Sequence, residues 1–158
     1  MTPRIDATNY IKSGLGKAML ALQREVETSG LEHSLMELVK IRASQINGCA
    51  YCLDMHTKDA RALGETEQRI YGLSAWREAP FYSERERAAL EWAEAVTRIS
   101  VDQVPDAVYS SVKPHFTEAE LVALTFALVA INGWNRLAIS FRAPVGSYQS
   151  PHAMARAI

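Results

Sequence analysis

Residues 33–64, HSLMELVKIRASQINGCAYCLDMHTKDARALG, decide the fold of this chain. Over 33–46 the apolar side chains cover a wide arc, which predicts a helix that is buried on most of its surface. The dipeptide Asn47-Gly48 then breaks the helical pattern. A second helix is predicted over about 49–63, where a glycine follows as the usual stop. Because so short a turn joins them, the two helices must lie close together.

The same helical periodicity occurs on both sides of this stretch, and no segment alternates as a half-buried strand does. Two capping boxes, Ser83 with Glu86 and Thr117 with Glu120, mark helix starts. The tail from Ala143 onward is predicted to be irregular. Five further helices are predicted, over about residues 7–29, 66–73, 83–99, 105–112 and 118–141. The first is defined by an apolar stripe of Ile11, Leu15, Met19, Leu22 and Val26. The sequence therefore predicts an all-α bundle of about six to seven helices.

Length and charge limit the possible classes of protein. The chain of 158 residues fits one domain covering 1–158. Its 17 lysines and arginines nearly balance 18 aspartates and glutamates, so the net charge is −1, and no basic run favours nucleic-acid binding. The first residues lack the apolar segment of a signal peptide, and the longest apolar run, 121–131, is too short to cross a membrane. We therefore expect a cytoplasmic protein that binds neither nucleic acid nor membrane.

The two cysteines, Cys49 and Cys52, form a CxxC motif. In a reducing cytoplasm such a pair favours redox or metal chemistry over a structural disulfide. The spacing of Cys49, Cys52 and His56 places all three on one helical face. Both cysteines lie in the first turn, where free backbone N–H groups and the helix dipole favour a thiolate. A nucleophile, a second thiol and a base on one rigid helix predict thiol catalysis.

Glu37 and Tyr51 are the further candidates near these thiols. Glu37 lies on the preceding helix, and a buried carboxylate near His56 would orient the imidazole and raise its basicity. The alternative is local, because Ser34 and Glu37 also fit a capping box. Tyr51 lies between the cysteines and either hydrogen-bonds a substrate oxygen or only packs there.

Other interpretations of the same residues stay open at this point. The cysteines also fit small buried hydrophobic residues, and His56 fits a structural histidine. Cys49, Cys52, His56 and Glu37 would make a four-ligand zinc set, but no second motif completes a usual structural site, and we expect no metal ion. Four residues interrupt the last apolar helix and must face something polar: Asn132, Trp134, Asn135 and Arg136. Their surroundings are a subunit interface, a helix end or the rim of an active site.

Taken together, the spacing of Glu37, Cys49, Tyr51, Cys52 and His56 resembles the active-site motif of the alkylhydroperoxidase D (AhpD-like) group in the carboxymuconolactone decarboxylase superfamily. The flanking segments, 37–48 and 56–61, resemble the same group. The later segment INGWNRLA, 131–138, is similar to single-domain members, so the resemblance covers most of the chain. The better-known AhpD motif has a histidine at the position of Tyr51.

This resemblance implies an all-helical antioxidant enzyme that reduces hydroperoxides without a cofactor. By position, Cys52 would be the peroxidatic cysteine and Cys49 the resolving one, while His56 and Glu37 would form the relay that deprotonates the thiols. An external dithiol would regenerate them. A homo-oligomer is implied, often a hexamer built as a trimer of dimers. Two alternatives remain: a redox-sensing or structural oligomer, and the cofactor-free decarboxylation of the other branch, which needs no paired thiols.

Overall fold

The computed structural model describes residues 2–154, and within them it is helical without any strand. The expected all-α class is confirmed. Ten α-helices occur in this part of the chain, together with two short 3-10 turns at Leu73–Ala75 and Lys113–His115. The α-helices are α1 Ala7–Ile11, α2 Gly14–Glu27, α3 His33–Asn47, α4 Ala50–Ala62, α5 Glu67–Gly72, α6 Glu84–Thr97, α7 Ile99–Asp102, α8 Asp106–Val112, α9 Glu118–Phe141 and α10 Pro151–Met154.

The centre of the fold is α3, whose residues 35–44 are all buried. It contacts α4, α6 and α9, which surround it. The helix ends at Gly48, whose backbone is left-handed with φ 70° and whose N–H donates to carbonyls of the last turn. This turn sends the chain back along α3, so that α4 begins directly after Cys49.

The longest helix, α9, covers one side of α3 and also contacts α2 and α6. Its capping box, Thr117 with Glu120, is present, as is the box of Ser83 with Glu86 that opens α6. By length and composition alone α9 could cross a membrane, with mean hydropathy 1.4 over its most apolar window. Core helices of soluble proteins pass the same test, and α9 contributes eight buried residues to this fold.

The prediction of one helix over 7–29 is wrong, because the structure divides it into α1 and α2. Ser13 makes the break: its hydroxyl accepts from the backbone N–H of Gly16 and donates to the carbonyl of Tyr10. Such a side chain offers the backbone an alternative to a continuous helix. The break also turns Leu15 out of the predicted apolar stripe, and its side chain is 85% exposed.

The predicted number of six to seven helices is also too low. Beyond the division of the first helix, the structure adds α7 and places α10 in the tail that was predicted to be irregular. Both added helices have four residues. Because one helical turn carries too few positions to show a periodicity, sequence pattern does not detect such elements.

The junction of α1 and α2 gives a test of this packing. A Cβ added at Gly16 would overlap the carbonyl oxygens of Tyr10 and Ile11, whereas one added at Gly14 meets nothing within 4 Å. We expect Gly16→Ala to lower the free energy of unfolding by about 1–3 kcal/mol through this overlap. Gly14→Ala is the matched control and should change it by less than about 1 kcal/mol. Urea denaturation measures both; equal stabilities would contradict the close approach.

Candidate active site

The first turn of α4 holds the two cysteines against each other. Cys49 is the N-cap residue, and its sulfur accepts a hydrogen bond of 3.4 Å from the backbone N–H of Cys52. The two Sγ atoms are unbonded, lie 2.7 Å apart and share a hydrogen bond. Each side chain is only 1% exposed. The CxxC motif is therefore a buried, reduced pair from which a disulfide can form with little movement.

The two thiols ionise unequally. The hydrogen bond shared with Cys52, supported by backbone N–H groups at the helix start, lowers the pKa of Cys49 from 9.0 to about 7 despite burial. The same shared hydrogen bond, burial and the charge of a Cys49 thiolate raise the pKa of Cys52 far above its ordinary value. The pair therefore releases one proton near neutral pH and retains the other. Sequence reasoning expected a thiolate in this turn but did not distinguish the two positions.

Glu37 and His56 meet inside the protein, between α3 and α4. The imidazole Nδ1 of His56 lies 2.8 Å from one carboxylate oxygen of Glu37, and the ammonium of Lys40 donates to the other oxygen over 2.9 Å. All three side chains are buried. The alternative that Glu37 forms a capping box with Ser34 is wrong, because the N-cap of α3 is Glu32 and makes no side-chain cap bond.

The surroundings of Glu37 keep it ionised. Burial alone would raise the pKa of its carboxyl, but the hydrogen bond and charge of His56, together with the ammonium of Lys40, outweigh burial and lower the pKa from 4.5 to about 2. A permanent carboxylate on Nδ1 fixes the orientation of the imidazole. Lys40 was not identified as a site residue from sequence, although its place one turn after Glu37 on a buried helix required a partner.

A polar network from α9 reaches the cysteines and was not predicted as part of the site. The fully buried Asn135 donates to the hydroxyl of Ser44 and accepts from the amide of Asn47, which also donates to Asn132. The Asn135 amide adds to the lowering of the Cys49 pKa, and at Cys52 it opposes the larger effects of the Cys49 hydrogen bond and burial that raise the pKa. Asn135 thus faces the candidate site, one of the three possibilities that its interruption of an apolar helix allowed, and Asn132 is joined to it through Asn47.

A cavity of about 310 Å³ opens beside Cys52. Tyr51, Cys52 and Met55 form its α4 wall, and residues of α1, α2, α9 and the segment after α9 complete it. Cys49 is not among its lining residues. Tyr51 therefore lies where a bound molecule would contact it. Trp134 of α9 lines this cavity and also a much smaller one that is bordered by His56 and Lys40.

A second buried carboxylate, Asp59, lies close to the pair of Glu37 and His56. The donor atoms of these three residues are within 4.8 Å of one another, and in the part of the chain described they form the one cluster able to hold a metal ion. Neither cysteine belongs to it, so the four-ligand zinc set is not assembled as such. The hydroxyl of Tyr148 bonds both oxygens of Asp59, and Lys40 holds Glu37. Existing partners therefore engage both carboxylates of the cluster.

Comparisons with known proteins agree with this site. The carboxymuconolactone decarboxylase family matches residues 14–95. YdfG of Bacillus subtilis, which is uncharacterised, is 45% identical over 140 residues, covering 89% of this chain and 95% of its own. The crystal structure of ATU0492 from Agrobacterium tumefaciens, provisionally described as the antioxidant defence protein AhpD, has a TM-score of 0.88 and 44% identity, covering 93% of this chain and all 100% of its own.

The chain thus belongs to the carboxymuconolactone decarboxylase family, and the resemblance to its AhpD-like members is confirmed. The family fold also supports other chemistry. The debrominase Bmp8 shares it with a TM-score of 0.76 at 18% identity, over 89% of this chain and 74% of its own. Fold alone therefore does not select the reaction, and the residues around Cys52 must do so.

The pairing of Glu37 predicts an acid-sensitive stability. Since its pKa is about 2 in the folded protein against an ordinary 4.5, the carboxylate stabilises the fold fully above pH 4.5, and this contribution is lost as pH falls towards 2. The shift corresponds to a contribution on the order of 3 kcal/mol. Urea unfolding between pH 3 and 6 should show a steeper loss in wild type than in Glu37→Gln. Other carboxylates such as Glu94 are present in both proteins and cancel in the difference; parallel curves would contradict the pairing.

Proposed function

We propose that this protein is a thiol-dependent peroxidase, which reduces hydroperoxides through Cys52 and Cys49. The observation that carries the proposal is the asymmetry of the pair. Cys52 lines a cavity large enough for a small organic molecule, while Cys49 lies behind it with its sulfur 2.7 Å away. One thiol is placed to meet a substrate and the other to resolve the product.

In the proposed cycle the proton of Cys52 first moves to the Cys49 thiolate, or leaves through His56. The Cys52 thiolate attacks the terminal, hydrogen-bearing oxygen of the hydroperoxide, the O–O bond breaks, and the alkoxide leaves as an alcohol after taking up the proton that Cys49 or His56 had accepted. Cys52 is thereby oxidised to a sulfenic acid. The Cys49 thiolate then attacks the Cys52 sulfur, which releases hydroxide and forms the disulfide. A thiol three residues away ends the sequence before over-oxidation.

His56 and Glu37 act in this proposal as the proton relay. Glu37, held ionised by Lys40, accepts from Nδ1 of His56 and so leaves the other ring nitrogen to exchange protons. His56 lies one helical turn beyond Cys52 on the same face of α4, which places this nitrogen on the side of the thiols. The bond from Glu37 to His56 supports this role, because in other nucleophile and base pairs a third group orients the base in the same way.

An external dithiol must complete the cycle by reducing the disulfide, because the chain has no third cysteine. A reducing cytoplasm, where we place the protein, keeps such donors available. Tyr51 lies in the cavity wall beside Cys52. We assign it to substrate binding, with its hydroxyl as a hydrogen-bond partner for a substrate oxygen.

Thiol titration of the purified protein tests this function. One equivalent of cumene hydroperoxide should consume two thiols per wild-type chain, and dithiothreitol should restore both. Cys52→Ser should reduce peroxide consumption to the uncatalysed background, because the sulfur that receives the oxygen is absent. Cys49→Ser should consume one equivalent and then stop, because its sulfenic acid has no resolving thiol.

Three results would overturn the assignment, and metal analysis of the same sample separates them. Normal turnover by Cys52→Ser would reverse the roles of the cysteines. Unreactive thiols with stoichiometric zinc would make the motif a metal site. Unreactive thiols without zinc would leave a helical oligomer whose CxxC motif is not enough to define its function.

We also propose that the protein is a homo-oligomer, a hexamer by the family resemblance. Support comes from α9, where Val122, Phe126 and Val129 form an exposed apolar row. Only 39% of the most apolar part of this helix is buried within one chain. Beside this row a groove of about 610 Å³ is lined by aromatic residues including Trp92, Tyr109 and Phe116. A surface of this kind is typical of an interface between subunits.

Sedimentation tests the oligomer with a matched pair of variants. Phe126→Glu places a charge in the apolar row and should shift the protein to a smaller species at micromolar concentration. Leu15→Glu is the control, since Leu15 is an isolated exposed residue on α2, and it should leave the assembly unchanged. A wild-type protein that sediments as a monomer would contradict the proposal.

A further inference from the structure

The segment after α9, residues 143–150, forms part of the wall of the cavity beside Cys52. Ala143, Pro144 and Ser147 of this segment are among the lining residues, and all three have small side chains. The segment contains no helix or strand. A wall made of irregular chain depends on contacts with its surroundings to hold one position.

Three side chains of α4 supply these contacts. Asp54 accepts a hydrogen bond of 3.2 Å from the backbone N–H of Gly146, and the ammonium of Lys58 donates to the carbonyl of Tyr148 over 3.0 Å. The hydroxyl of Tyr148 donates to both carboxylate oxygens of Asp59, each at 3.0 Å. The segment is therefore docked along the same helix that carries the candidate nucleophile and base.

The bond from Tyr148 to Asp59 differs from the other two because its acceptor is buried. Asp59 is 8% exposed, and within residues 2–154 no other side chain hydrogen-bonds its carboxylate. Lys58 and Asp54 pair with each other and are partly exposed. Burial and the bond to Asp59 raise the pKa of Tyr148 above its ordinary value, so the hydroxyl keeps its proton and remains a donor. Because hydrogen bonds to buried charged groups are the stronger ones, this bond holds the segment most firmly.

We propose that Tyr148 is a positioning residue, which fixes segment 143–150 as a cavity wall and thereby sets a selectivity for hydroperoxides with an apolar organic body over hydrogen peroxide. This inference rests on the proposed function. None of the described residues that line the cavity is charged, so an apolar body is stabilised by contact with them. Hydrogen peroxide has no such body and gains nothing from the wall. The reaction at Cys52 is the same for both substrates, and the ratio of their rates therefore isolates the contribution of the wall.

Tyr148→Phe tests the inference, because it keeps the aromatic ring and removes the hydroxyl that bonds Asp59. Second-order rate constants for oxidation of the reduced thiols are compared for cumene hydroperoxide and hydrogen peroxide. The variant should lower the ratio of the first to the second about 3- to 10-fold, less than the full effect of one charged hydrogen bond, since two other bonds still hold the segment. Tyr71→Phe is the matched control: it also loses a hydroxyl that bonds a carboxylate, that of Glu67, but does not line this cavity. It should leave the ratio within about twofold.

A second variant separates the wall from the proton relay, since Asp59 lies within 4.8 Å of Glu37 and His56. Asp59→Asn removes the charge but keeps an oxygen that can accept from the hydroxyl of Tyr148. Any effect of this charge on the relay changes the rates with both hydroperoxides. Asp59→Asn should therefore preserve the ratio, whatever it does to the two rates.

Hydrogen exchange of the segment gives a readout that does not depend on activity. In Tyr148→Phe a peptide covering 143–150 should exchange its amide hydrogens faster than in wild type, including the Gly146 N–H that Asp54 accepts. Tyr71→Phe should exchange as wild type does. If Tyr148→Phe does not fold, Lys58→Gln removes another bond to the same segment, and it should lower the ratio and speed the exchange in the same way.

The possible failures are distinguishable. An unchanged ratio, an equal loss of rate with both hydroperoxides, or exchange of the segment at the wild-type rate would overturn the inference alone. A wild-type protein without any preference for cumene hydroperoxide would do the same. Wild-type thiols that react with neither hydroperoxide would overturn the proposed function, and this inference with it.

Discussion

The rest of the structure depends on the polar groups that α3 carries into the core. Each of them needs a partner, because a buried charge or hydroxyl without one is costly, and three of them bind a partner on another helix, each on a different one. Glu37 binds His56 and thereby positions α4, Arg42 binds Glu94 of α6, and Ser44 accepts from Asn135 of α9. Apolar contacts alone tolerate small shifts of one helix along another, whereas these directional bonds set the position of each helix relative to α3. The same bonds assemble the candidate site, because the Glu37–His56 bond and the Ser44–Asn135 bond both hold residues of that site in place.

The left-handed turn at Gly48 has a chemical as well as a structural consequence. By ending α3 and making Cys49 the N-cap of α4, it places that sulfur on the free N–H groups of the next helix and leaves Cys52 one turn deeper, facing the cavity. The thiol that ionises most easily is therefore not the one that lines the cavity. Because the sulfurs lie 2.7 Å apart, a single proton transfer converts one arrangement into the other. The geometry suits a pair in which one cysteine attacks and its neighbour holds the charge until it is needed.

Much of this could be predicted from sequence, and the failures have identifiable physical causes. The long helices, both capping boxes and the group of Cys49, Cys52 and His56 depend on patterns within one or two turns, which the chain displays locally. The break at Ser13 went undetected because the apolar spacing continues across it, although the cap that Ser13 forms with Gly16 is local. Asn135 with Ser44 and Tyr148 with Asp59 join residues 91 and 89 positions apart. Such contacts leave no local pattern, so sequence reasoning noted that Asn135 must face something polar without finding its partner.

The distribution of charge in the reduced site bears on its selectivity. A thiolate facing an open cavity would react with any oxidant that enters, but here the hydrogen bond shared with Cys49, together with burial, raises the pKa of Cys52. In the proposed cycle Cys52 becomes nucleophilic only when its proton passes to Cys49 or His56. That transfer is favoured when a bound molecule can accept the charge, and a hydroperoxide does so by passing it to oxygen as the O–O bond breaks. In that cycle the withheld proton thus favours a substrate that takes up charge as its O–O bond breaks over a reagent that only oxidises thiols.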